Sequence, residues 1–133
     1  GGRVDVVAGP ALGGVILAYE VARSLGVRNI FAERENGKMT FRRGFHVNPG
    51  ERVLVVEDVV TTGGSVREVI ELLRETGAEV AGVGAVVDRS GGSVDFGVPF
   101  RPLMCMEARK WEESECPLCR EGIPIDKPGS RAV

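Results

Sequence analysis

With 133 residues, 43% hydrophobic and 27% charged, the chain has material for one soluble domain with a single core and too little for two. A formal net charge of -2 argues against a general nucleic-acid binder, and the three cysteines, an odd count, argue against a secreted disulfide framework. No stretch approaches the ~18 apolar residues of a membrane span and the N-terminus has no leader pattern, so a cytoplasmic protein without membrane or nucleic-acid partners is expected.

In chain order, Val4 to Ala8 reads as a first strand. Gly9-Pro10-Ala11-Leu12-Gly13-Gly14 is a turn into a helix of nearly all-round apolar character, Val15 to Leu25, stopped by Gly26. The turn can present backbone N–H groups to an anion, although glycines placed for close packing explain it equally well. Asn29 to Glu33 reads as a second short strand. After it comes FAERENGKMTFRRGF, Phe31 to Phe45, in which Arg34, Lys38, Arg42 and Arg43 surround Asn36-Gly37, a strong hairpin signal. Its charges suit a solvated hairpin protected from aggregation, or a basic loop that closes over a leaving group.

The run VLVVEDVVTTGGS, Val53 to Ser65, is the most informative. Four apolar residues suit a strand buried on both faces of a parallel sheet, which puts Glu57 and Asp58 at its carboxyl end, where open α/β sheets bind ligands. Thr61, Thr62, Gly63, Gly64 and Ser65 then offer hydroxyls and unencumbered N–H groups to an anion at a helix start. Val66, Val69, Ile70 and Leu73 form one helical stripe, and Ser65 with Glu68 reads as a capping box. Beyond Gly77, Glu79 to Asp88 and Pro99 to Met104 read as further strands, and the tail from Glu107 is polar and punctuated by prolines. The alternation predicts an α/β fold, a mainly parallel Rossmann-like sheet flanked by helices. A core over 1–104 and a tail over 105–133 that packs on it are expected.

The acid pair and its turn resemble the phosphoribosyl diphosphate (PRPP) signature of type I phosphoribosyltransferases. That resemblance implies that Glu57 and Asp58 contact ribose hydroxyls, that Thr61 through Ser65 wrap the 5-phosphate, and that Val59 and Val60 between them belong to the PRPP site. Glu stands at the first acid, where Asp is more usual. With FAERE, RRGF, DRSGG at Asp88 to Gly92, and the ending CPLCREGIPIDKPGSR, the likeness narrows to orotate phosphoribosyltransferase and covers nearly the whole chain. It implies Mg²⁺-dependent transfer of phosphoribose from PRPP to N1 of orotate in pyrimidine biosynthesis, and a homodimer. By the same likeness Arg34 and Lys38 are candidates for diphosphate contact and loop catalysis together with Asp58, while Arg89 and Thr61 are candidates for orotate. A guanidinium matches a carboxylate as a fork, which suits Arg89; pairing with Asp88 or Asp95 would be the ordinary alternative.

The first strand starts too early for the N-terminal segment of that family, so a truncated chain is expected. No protein ligand set for the metal is certain; PRPP and water would hold most of it. Cys116 and Cys119 form a C-x-x-C pair, expected to be reduced thiols in a tail turn, with zinc requiring ligands as distant as Cys105 and His46. Trp111 is expected to anchor packing and His46 to be a surface histidine. A purine-base transferase and a PRPP sensor without catalysis are the alternatives.

Overall fold

The structure, a computed structural model, describes residues 2–107, 109 and 111–124. Its elements run β1 (Val6–Pro10), α1 (Gly13–Leu25), β2 (Arg28–Glu35), β3 (Lys38–Phe41), β4 (Arg52–Val60), α2 (Gly64–Glu75), β5 (Glu79–Asp88), β6 (Phe100–Cys105) and α3 (Pro117–Arg120). The six strands form one sheet in the order β3-β2-β1-β4-β5-β6. Every pairing is parallel except the β2–β3 hairpin. The expected architecture is therefore present.

Alternation along the strands sorts the core into two layers. Val6, Ala8, Val53 and Val55 face α2 and join its stripe Val66, Val69, Ile70 and Leu73. Val7 and Val56 face the other way and pack on Ala18 and Ala22 of α1. A strand covered on both sides must be apolar at every position, which is why Val53 to Val56 shows no alternation. On α1 the sheet-facing residues Gly14, Ala18 and Ala22 are small and the helix sits close, while Ile16 is 75% exposed. Helix all-round apolarity thus reflects an uncovered outer stripe, not a doubly buried helix.

Several boundaries move. Strand β1 lies two residues later than Val4–Ala8, α1 begins at Gly13, and β6 starts at Phe100. The capping box does not form: Gly63, at φ 76°, is the N-cap, α2 starts at Gly64, and Ser65 lies inside the first turn. Left-handed φ is easy only for glycine, so the chain turns into the helix before Ser65 is reached. Asn36 (φ 52°) and Gly37 (φ 78°) supply the two positive φ values of a type I′ hairpin.

In the tail, Cys116 caps the four-residue α3, so the thiol pair lies on a short helix and not in a plain turn. Trp111 is 49% exposed, too open for the anchor it was expected to be. His46 is exposed, as expected. The part of the tail from residue 125 onward lies outside the described residues.

Candidate functional site

The site forms where β4 ends and α2 begins. Glu57, Val59, Val60, Thr61, Thr62, Gly63, Gly64 and Ser65 line one cleft together with Arg34, Val66 and Glu68. Its room for about 130 Å³ of solvent equals a few waters, each with ~30 Å³ of liquid volume, and suits a tetrahedral anion. The start of α2 forms this wall, and the partial positive charge of a helix N-terminus makes it electropositive. A wider cleft of about 700 Å³ adjoins it, sharing Arg34 and Ser65 and lined also by Leu12, Ile16, Phe31 and Arg43.

The turn is braced from behind by a residue that sequence reasoning passed over. Arg67 donates from Nη1 to the Thr62 carbonyl (2.8 Å) and from Nη2 to the Asp95 carbonyl (2.9 Å), and its guanidinium lies 5.4 Å from the Phe96 ring centre. A Cβ on Gly63 would come within 2.8 Å of that same ring. The charge at i+4 from Gly63 was the available signal; only the fold shows that it points backward and not toward a ligand.

The two acids separate. Being adjacent on a strand, they leave it on opposite faces. Glu57 goes to the α2 side, where it is 8% exposed in the cleft wall. Burial pushes its carboxyl up to about 8, aided by hydrogen bonding and charge from Asp58 and opposed by the Asp58 N–H, which donates to Glu57 Oε1 at 3.1 Å. Asp58 is exposed on the α1 side, where its Oδ1 accepts from the Val59 N–H at 2.7 Å. A Cβ at Gly13 would collide with the Asp58 carboxylate, so the Gly9–Gly14 turn closes directly on this acid. The Ala11–Leu12 peptide within that turn is cis.

The basic candidates are dispersed. Arg34 stands at the cleft, where it is paired end-on with Glu68, Nη1 to Oε2 at 2.7 Å and Nη2 to Oε1 at 2.6 Å. Lys38 lies in a separate groove with Met39, Glu68, Glu71, Leu72 and Glu75. Arg42 and Arg43 are held by Glu33, whose carboxyl is depressed mainly by its hydrogen bond from Arg43. Arg89 follows β5 beside the cleft strand: its N–H donates to the Val60 carbonyl at 2.8 Å, and its side chain is exposed. Asp88 and Asp95 accept from the Ser90 and Gly97 N–H groups, and among the described residues no carboxylate pairs with the Arg89 guanidinium. The site thus gathers the turn, Glu57 and Arg34 in one cleft, sets Asp58 and Arg89 at its margins, and leaves Lys38 apart.

Among the described residues no cluster of three His, Cys, Asp or Glu is arranged to hold a metal ion. Asp58 supplies an exposed carboxylate at the cleft margin, which fits Mg²⁺, an ion that takes one or two protein carboxylates and keeps waters and phosphate oxygens for the rest. Cys116 and Cys119 are free thiols; hydrogen bonds from the Cys119 N–H and thiol lower Cys116, and the same contact raises Cys119. No helix among the described residues is long and apolar enough to cross a membrane.

Comparison with known proteins bears on this geometry. The phosphoribosyl transferase domain family matches residues 1–96. The chain is 66% identical over 133 residues to the orotate phosphoribosyltransferase of Caldanaerobacter subterraneus subsp. tengcongensis, covering all of this chain and 70% of that protein. It is 63% identical over 130 residues to the orotate phosphoribosyltransferase of Thermotoga maritima, covering 98% of this chain and 70% of that one. Among solved structures, the orotate phosphoribosyltransferase of Aeropyrum pernix superposes with a TM-score of 0.62 at 30% identity, over 78% of this chain and 62% of that one. The adenine phosphoribosyltransferase of Thermoanaerobacter pseudethanolicus gives 0.70 at 19% identity, over 80% and 73%, a likeness of fold alone.

Proposed function

Because the chain belongs to the phosphoribosyl transferase domain family, and within it to the orotate phosphoribosyltransferases, we propose that the β4–α2 cleft seats PRPP for transfer of its phosphoribose to N1 of orotate. The products are orotidine 5'-monophosphate and diphosphate, a step of pyrimidine (UMP) biosynthesis. The observation that carries the site assignment is the union of an electropositive helix start, a braced glycine turn and the Glu57 carboxyl, three residues before the end of β4, in one cleft.

In this reading the N–H groups and hydroxyls from Thr61 to Ser65 hold the 5-phosphate. Asp58 and Glu57 take the ribose hydroxyls from the two sides of β4. Glu57, raised to about 8, is largely protonated at neutral pH and so offers a donor as well as an acceptor. Bond cleavage at C1 leaves oxocarbenium character on the sugar and charge on the departing diphosphate. Arg34 at the cleft meets that charge, and Lys38 joins it when the β2–β3 hairpin closes; cations that arrive with the leaving group favour the transition state over the ground state. Arg89 receives the orotate carboxylate as a fork and Thr61 contacts the base. Mg²⁺, when bound beside Asp58, would neutralise diphosphate charge. No covalent nucleophile is needed, since positioning and electrostatics carry the reaction.

A cytoplasmic homodimer is part of the same reading. Leu12, at the N-cap of α1, and Ile16 and Tyr19 on the helix form an exposed apolar stripe suited to a second copy, and size-exclusion chromatography checks it. The decisive experiment adds orotate, uracil, adenine and hypoxanthine in turn to protein with PRPP and Mg²⁺. Nucleotide formed with orotate alone supports the reading. Nucleotide formed with a purine, or PRPP binding without turnover of any base, moves the chain to one of the alternatives.

A further inference from the structure

Glu68 is left without the capping role its spacing suggested, and the structure gives it another partner. Its carboxylate takes the end-on edge of Arg34 through two short bonds, at 2.6 and 2.7 Å, across 34 residues of sequence. Arg34 Nη1 also donates to the Gly37 carbonyl at 3.2 Å, which ties the same guanidinium to the hairpin tip. A guanidinium has five N–H donors in a rigid plane. Glu68 and Gly37 use those of Nη1 and one of Nη2, so the side edge, formed by Nε and the second Nη2 hydrogen, has no partner among the described residues. That edge is itself a two-pronged fork for an oxyanion.

We infer that Glu68 is a positioning residue that clamps Arg34 by one edge so that the other is presented as a preset fork to the diphosphate of PRPP. The inference rests on the proposed function and deepens it. Both residues line the cleft, so the clamp lies at the ligand and not across the molecule. Helix α2 carries Glu68 one turn after the phosphate-binding residues, and the buried stripe Val66, Val69, Ile70 and Leu73 fixes that helix against the sheet. The carboxylate is therefore anchored to the rigid layer, whereas Arg34 belongs to the hairpin. A surface ion pair of this exposure, 37% and 36%, contributes little to folding, which leaves its geometric effect to be seen in binding.

The test measures diphosphate affinity in the presence of Mg²⁺, KM for PRPP and KM for orotate in wild type, E68A, E68Q, E68D, R34A and R34A/E68A. The expected result is a loss on the order of tenfold in diphosphate affinity and in KM for PRPP for E68A and E68Q, as for other mispositioned groups. KM for orotate and the unfolding midpoint stay at wild-type values, E68D recovers part of the loss, and E68A has no further effect once Arg34 is gone. An equal loss in the R34A background, or no loss in the single variants, overturns the inference. Failure of the parent chain to bind PRPP at all removes the functional reading beneath it, and that outcome is distinguished because it appears before any substitution. Should E68A fold poorly, E68Q carries the same comparison with the side-chain volume retained.

Discussion

Replacing Glu57 with Gln should change how stability depends on pH, because this carboxyl is buried in the cleft wall and raised from 4.5 to about 8. The folded chain then holds a proton at Glu57 across an interval in which the unfolded chain has already released it. Stability falls wherever the folded state binds more protons, so the wild type loses stability as pH rises from about 4.5 to about 8 and is level beyond. At about 1.4 kcal/mol per pH unit the interval sets a ceiling of about 5 kcal/mol. Glu57 keeps 8% exposure on an open cleft, and water there lowers the effect to about 2–3 kcal/mol. Gln has the same shape and does not titrate. Urea unfolding at pH 5, 7 and 9 should therefore give nearly equal stabilities at pH 5 and an advantage for the variant of about 2–3 kcal/mol at pH 9. PRPP affinity should fall in the same protein. Parallel pH profiles for the two chains would refute the buried-carboxyl account.

Three other substitutions separate binding from folding. Gly13→Ala drives a methyl group into the space of the Asp58 carboxylate, which must turn away from its bond with the Val59 N–H, so PRPP affinity should drop about tenfold by calorimetry while the unfolding midpoint falls only slightly. Arg89→Ala should raise KM for orotate by a factor of about 10 to 100, the value of a charged hydrogen bond, with PRPP affinity nearly unchanged; equal damage to both would remove Arg89 from the base site. Leu73→Ala, at a fully buried position on the sheet-facing stripe of α2, should cost about 3 kcal/mol in denaturant unfolding and leave the KM values of the surviving folded protein near wild type.

The fold was legible because its signals were redundant. The apolar run of β4, the stripe of α2 and the Asn36-Gly37 turn each admit few other structures, and each appears where the residues placed it. The boundaries were less legible, since glycine governs them: Gly63 starts α2 early through a φ that no spacing rule reads. In the site, the turn and both acids were visible as a string, yet the string could not say which of Glu57 and Asp58 would be buried against α2 and which left exposed beside α1. That follows from how the two helices cover the sheet, and the resulting shift of Glu57 follows from burial. Arg67 and Glu68 were invisible as site residues for another reason. Their partners, Asp95 and Arg34, lie 28 and 34 positions away, and only the closed sheet brings them near.

The brace that Arg67 forms behind the Thr62–Gly63 turn has a thermodynamic consequence. Because that segment is held in shape before anything occupies it, capture of a phosphoryl group there spends little conformational entropy on the backbone. In the proposed reading, affinity for a simple sugar 5-phosphate should accordingly show weak dependence on hairpin sequence, since the turn that would seat it is set by Arg67 and not by the hairpin.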